Sequence, residues 1–70
     1  MFTSKQIIKY LSGKPHKNVE FINYRNENIH VFRCCDGSVR YGEIGDGAIY
    51  DFNNRKFKND LWILSFNPYV

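Results

Sequence analysis

Long apolar runs are missing from this chain. No segment approaches the ~20 residues a helix needs to cross a bilayer, and the opening Met1-Phe2-Thr3-Ser4-Lys5 has no apolar signal core. Cysteine is scarce: the two present, Cys34 and Cys35, are neighbours. Adjacent strand residues point to opposite faces, so these two are badly placed to bond to each other. A secreted domain of this size usually carries several disulfides. The expectation is therefore a soluble chain in a reducing, cytoplasmic setting. Proline occurs twice and glycine five times, too sparsely for a flexible linker or a low-complexity segment. There is no internal repeat and no block of one charge. Ten basic and seven acidic residues are interleaved, leaving a net charge of +3. That balance permits nucleic acid or an acidic protein as a partner and demands neither.

What the sequence does have is aromatic bulk: six Phe, five Tyr and one Trp. Seventy residues make one domain, 1–70, that buries only about 60% of its unfolded surface. A core dense in large side chains answers that constraint. The chain is also rich in Asn, Ile, Lys, Phe and Tyr, a bias that AT-rich genomes produce, those of many phages included.

Residues 4–12 are predicted to form a short helix. Thr3 is placed as N-cap with Gln6 three residues on, a capping box, and Phe2 and Ile7 occupy the positions of a hydrophobic staple. Ile7, Ile8 and Leu11 recur at helical spacing. Gly13 is placed to close the helix and Pro15 to prevent its return. From Val19 onward the period is two, with strands expected at 19–24, 29–34, 39–44, 48–52 and 61–66. Asp36-Gly37 and Asp46-Gly47 are strong two-residue hairpin signals, and Asn26-Glu27 is a weaker one. Asn53-Asn54 either turns a further hairpin or opens an irregular loop. The expected fold is α+β: a short N-terminal helix followed by an antiparallel β-meander of about five strands, as a curled sheet or a small SH3-like barrel.

Two-residue turns fix a register. Phe21 then faces Phe32, Phe32 faces Tyr41, and Tyr41 faces Phe52. One face gathers Val19, Phe21, Phe32, Cys34, Val39, Tyr41, Tyr50 and Phe52 as the core. The other gathers Ile22, Tyr24, Ile29, Val31, Ile44 and Ile49, with Glu20, Arg33, Arg40 and Asp51 in a row across the strands. The last strand, apolar on both sides, is expected to be central or to close a barrel.

The row offers an anion or acidic-partner site built on the Arg33–Arg40 pair, or a solvated ladder of ion pairs worth little. The apolar second face offers a partner or subunit interface, because one short helix cannot cover both sides of a sheet. Arg55-Lys56-Phe57-Lys58 interleaves cations with an aromatic, as single-strand binders do; a lysine-protected hairpin edge has the same composition. The basic loop from Gly13 to Asn18 closes a helix and does not open one, so it is no phosphate-binding loop. His30 is expected opposite Glu43. His16, His30, Cys34 and Cys35 lack zinc-ligand spacing. Cys35 has no local His, and an acidic neighbour raises a thiol pKa. No serine stands in a nucleophile elbow, and no close carboxylate pair suggests acid–base work.

These features support no enzyme, no metal and no cofactor. The leading expectation is a small non-catalytic protein-binding module, self-association included, of the accessory or inhibitor kind that phages and mobile elements encode. Tyr24, Ile29 and Ile44 would make the contact, with Arg33 and Arg40 steering an acidic partner. The alternative is binding of single-stranded nucleic acid or RNA through Arg40, Tyr41, Arg55, Lys56, Phe57 and Lys58. No membrane is implied.

Overall fold

A computed structural model describes residues 1–12 and 19–66. The elements are β1 (Phe2–Thr3), α1 (Ser4–Ser12), β2 (Val19–Asn23), β3 (Ile29–Arg33), β4 (Val39–Glu43), β5 (Ile49–Asp51) and β6 (Leu61–Phe66). They form one short helix and a six-stranded antiparallel sheet of order β1-β6-β2-β3-β4-β5. The sheet is open, not a barrel, and only β2 to β5 run as a meander. The last strand is interior as expected, inserted between β2 and a two-residue strand, β1, that the sequence pattern does not announce.

The capping box forms. The Thr3 amide donates to Gln6 Oε1 at 2.9 Å, and the Gln6 amide donates to Thr3 Oγ1 at 3.2 Å. Ser4, Ile7 and Leu11 lie on one stripe and are buried. They meet Phe21, Val31, Phe52, Phe57 and Trp62, which are buried on the same side of the sheet. Ser4 knits the layers together: its hydroxyl accepts from Trp62 Nε1 at 2.9 Å and donates to the Phe57 carbonyl at 2.7 Å. The proposed closure of the helix by Gly13 and Pro15, and the basic loop containing His16, lie outside the described residues.

The hairpin registers differ from the expected ones. β2 pairs with β3 as Phe21↔Val31, β3 with β4 as Val31↔Tyr41, and β4 with β5 as Tyr41↔Tyr50. The loop between β2 and β3 has five residues, 24–28, and not two, and the Asn23 side chain at the end of β2 organises it. Its Oδ1 accepts from the Arg25 amide at 2.9 Å and the Asn26 amide at 3.1 Å, and its Nδ2 donates to Asp60 Oδ2 at 2.8 Å. The β3–β4 loop is three residues, 35–37. Cys34 N donates to the Ser38 carbonyl, Gly37 N donates to the Cys34 carbonyl, and Gly37 alone takes positive φ, at 90°. That is a type I turn closed by a glycine bulge, whereas a type I′ turn would need Asp36 at positive φ as well.

Both loops are odd in length, so each inverts the face assignment once. The two inversions cancel beyond β3, and β3 alone is turned over. Val31 and Ile29 therefore face the helix, while Phe32 faces away. Between β4 and β5 the turn centres on Ile44-Gly45, with Gly45 at φ 89°, instead of Asp46-Gly47. That shift is two residues, so the faces of β5 stay as expected. Residues 53–60 are an irregular run of turns and not a hairpin.

Candidate functional site

The helix and the 52–60 loop cover one side of the sheet. Nothing in the described chain covers the other. Ile22, Phe32, Gly42, Ile49, Leu61 and Ile63 lie there by register. Ile44 at 64%, Tyr24 at 57%, Ile49 at 48% and Ile63 at 47% exposure make this the main apolar surface left to solvent. A sheet this small normally hides such side chains under a second layer.

The open face is concave in two places. One cavity, of about 460 Å3, has Phe32, Gly42 and Ile49 along the strands and the 44–48 turn as a wall. The other, of about 470 Å3, lies among Ile22, Tyr24, Ile44 and Ile63. His30 and Ile44 line both, so the two adjoin. His30 is held in place by Glu20: Nδ1 lies 3.2 Å from Oε1, and both side chains are largely buried. Nε2 is buried, with no hydrogen-bond partner among the described residues. His30 stands between Ile22 and Gly42 across the ladder, so the expected His30–Glu43 pair is replaced by a diagonal one.

The arginine row does not form as expected. Phe32 occupies the place given to Arg33, so Glu20, Phe32, Arg40 and Asp51 cross the strands. Arg33 pairs with Val39 and reaches only the rim of the 460 Å3 cavity. Arg40 is engaged inside its own hairpin. Its Nε donates to Ser38 Oγ at 2.9 Å, and its guanidinium lies 3.5 Å from Asp36 and 3.8 Å from Asp51. The two arginines make no joint anion site. Ile29 packs on the helix-side core and is removed from the exposed set. Of the expected contact residues, Tyr24 and Ile44 come together on the open face. Arg40 lies at its far end, spoken for.

The second expected group is also divided. Phe57 is 5% exposed, with its ring 5.4 Å from those of Phe52 and Trp62. It is core and has no face free to stack on a base. Tyr41 lies on the helix side, 5.0 Å from Phe57, and its hydroxyl accepts from Lys56 Nζ at 2.9 Å, which raises the lysine pKa. Arg55 and Lys58 border a concavity of about 380 Å3 together with Lys5. Arg40 is on the opposite side of the sheet from Tyr41.

The net charge of +3 hides a division. Residues 1–12 and 52–66 carry Lys5, Lys9, Arg55, Lys56 and Lys58 against Asp60, a net +4. Residues 19–51 carry Glu20, Glu27, Asp36, Glu43, Asp46 and Asp51 against Arg25, Arg33 and Arg40, a net −3. Asp46 beside the Tyr50 hydroxyl, 3.3 Å away, pushes that phenol above its ordinary value.

Sequence reasoning missed Phe32, Gly42 and Ile63 as members of the open face. Gly42 carried the usable signal, a glycine inside a strand. Among the described residues no group of three or more His, Cys, Asp or Glu is placed to hold a metal ion, and no helix is long and apolar enough to cross a membrane. No protein-family model, no curated protein and no solved structure matches the chain.

Proposed function

We propose that this chain is a small non-catalytic protein-binding module whose contact surface is the open face of its sheet. One observation carries the reading: Tyr24, Ile44, Ile49 and Ile63 remain about half exposed or more on the side that neither α1 nor the 52–60 loop covers. Contiguous apolar patches of this kind are where partners dock, since removing them from water is worth roughly 25 cal/mol per Å2. The accessory or inhibitor role in a phage or mobile element rests on size and composition. A cytoplasmic setting is supported by Cys34 and Cys35, both free thiols.

A tagged pull-down from host lysate, with and without nuclease, tests the reading. The expected result is a stoichiometric protein that survives nuclease and is lost with Ile63→Asp, a variant that keeps its melting temperature within a few degrees. Partners that vanish with nuclease would overturn it.

One observation favours a second reading, nucleic-acid binding: Lys5, Arg55 and Lys58 surround one concavity at the basic end. Without Phe57 as a stacking platform, such binding would rest on phosphates alone. Its affinity would then fall steeply with salt and be indifferent to sequence.

A further inference from the structure

Gly42 is a glycine that the backbone does not need. It sits in the middle of β4, paired with His30 on one side and Ile49 on the other without a bulge. Its φ is not positive. Glycine in a strand interior costs about 0.5–1 kcal/mol relative to alanine, and absent a conformational need it marks a place where something approaches closely. A Cβ built there would meet the Ala48 carbonyl oxygen at 3.4 Å, Ile49 Cγ2 at 3.5 Å and Phe32 Cε1 at 3.9 Å, ordinary contacts all. The fold has room for a side chain. What the missing side chain leaves is the floor of the 460 Å3 cavity.

We infer that this cavity is a socket for one bulky apolar side chain of a protein partner, and that the segment carrying it is cationic. The inference rests on the open-face reading above and specifies its occupant. The cavity lies within the ~300–1,000 Å3 range of well-formed sites and is walled by Phe32, Ile44 and Ile49. Binding energy in protein interfaces concentrates in such anchor-and-pocket pairs. The sign of the partner follows from the rim. Glu20 borders the socket, Glu27 borders the adjoining cavity, and Asp51 lies on the same face by register, against Arg40 on that face and Arg33 at the rim; Glu43, opposite Ile29, and Asp46, bonded to Tyr50, turn to the helix side. Glu20 is paired with His30, and Arg40 with Asp36 and Asp51, so carboxylates outnumber cations on the open face. A partner with Lys or Arg flanking its anchor complements that field. An acidic partner, the expectation built on Arg33 and Arg40, does not.

The test is peptide display: a random-peptide library panned on the purified chain, with Gly42→Leu, Gly42→Ala and Ile63→Asp as parallel baits. Gly42→Leu projects its side chain into the socket; Gly42→Ala barely intrudes. Wild type and Gly42→Ala should enrich peptides in which an aromatic or large aliphatic residue is flanked by Lys or Arg. Gly42→Leu should bind those peptides about thirtyfold more weakly or worse, the loss typical of an anchor, while melting like wild type. Peptides that bind Gly42→Leu as well as wild type but fail on Ile63→Asp would sink the socket and leave the open-face reading standing. Peptides indifferent to both variants would sink both. Enrichment of Asp and Glu, or no enrichment, overturns the cationic occupant. So does a wild-type dimer in sedimentation that Gly42→Leu turns into a monomer, since the occupant is then a second copy.

Discussion

Trp62 and Ile63 are neighbours on β6 and belong to different surfaces. Trp62 is fully buried, edge-on to Phe52 and Phe57, with its indole N–H satisfied by Ser4. Ile63, across from Ile22, is about half exposed on the open face. The two sides of one small sheet thus divide the labour: one holds the fold together and the other is left free of that duty. The largest test of this division is the pair of variants. Trp62→Ala removes about 3–5 kcal/mol, enough to unfold most small domains. Ile63→Asp should cost about 1 kcal/mol or less. Urea titrations of the two, read by circular dichroism, measure the gap. If Ile63→Asp unfolds the chain, the open face is part of the core and the binding proposal fails with it.

Asn23 extends the comparison to polar groups. It lies on the covered side, 2% exposed, with its amide shared between two backbone N–H groups of the 24–28 loop and the Asp60 carboxylate. Asn23→Ala strands three groups and is expected to cost about 2 kcal/mol. Substituting His30, which fills an equivalent place on the open face with one partner, should cost less. Chemical denaturation of Asn23→Ala and His30→Ala orders the two. A costlier His30→Ala would mean that the Glu20–His30 pair braces the sheet.

The same residues show how far sequence reading reaches. The helix from Ser4, its capping box, and the existence and type of β2 to β6 were legible, each bounded to within about a residue, because periodicity and caps are local signals. Which side of the sheet each residue faces was legible for β2, β4 and β5; for β6 only the alternation was legible, not which set meets the helix. It failed for β3, because loop parity depends on contacts that local patterns do not contain. Asn23, anchored to Asp60 thirty-seven residues away, binds the amides of Arg25 and Asn26 in a five-residue loop, and Gly37 takes a bulge where a two-residue turn was read. One inverted strand moved Arg33 and Ile29 off the open face and put Phe32 on it. Phe57 was misread for a related reason: a cation–aromatic string looks alike whether its aromatic points in or out.

Two glycines sharpen the division at a smaller scale. Gly37 holds φ +90°, where an added Cβ would also meet the Arg33 guanidinium at 3.3 Å. Gly37→Ala is expected to destabilise by about 1 kcal/mol. Gly42→Ala, in ordinary strand conformation with ordinary contacts, is expected to leave stability unchanged or raise it by up to about 1 kcal/mol. Thermal melts of the two variants decide this. Equal losses would show that Gly42 is structural, removing the ground for a socket beneath it.

The smallest effect concerns a carboxylate in the exposed turn between β3 and β4. Asp36 accepts from Ser38 Oγ at 2.6 Å and the Ser38 amide at 2.9 Å, with Arg40 alongside. The two Ser38 hydrogen bonds, then the Arg40 charge, hold its carboxyl below the ordinary value of 3.8. A carboxyl depressed on folding binds fewer protons in the native state than in the unfolded one near its pKa. Its contribution is therefore complete above 3.8 and is lost as pH falls through the lower folded value. The group is exposed, so the effect is small and salt-sensitive. Melting temperatures of wild type and Asp36→Asn, compared from neutral pH downward, should differ at neutrality and converge below pH 3.8. A gap that persists to low pH would mean that Asp36 acts through turn geometry and not through charge.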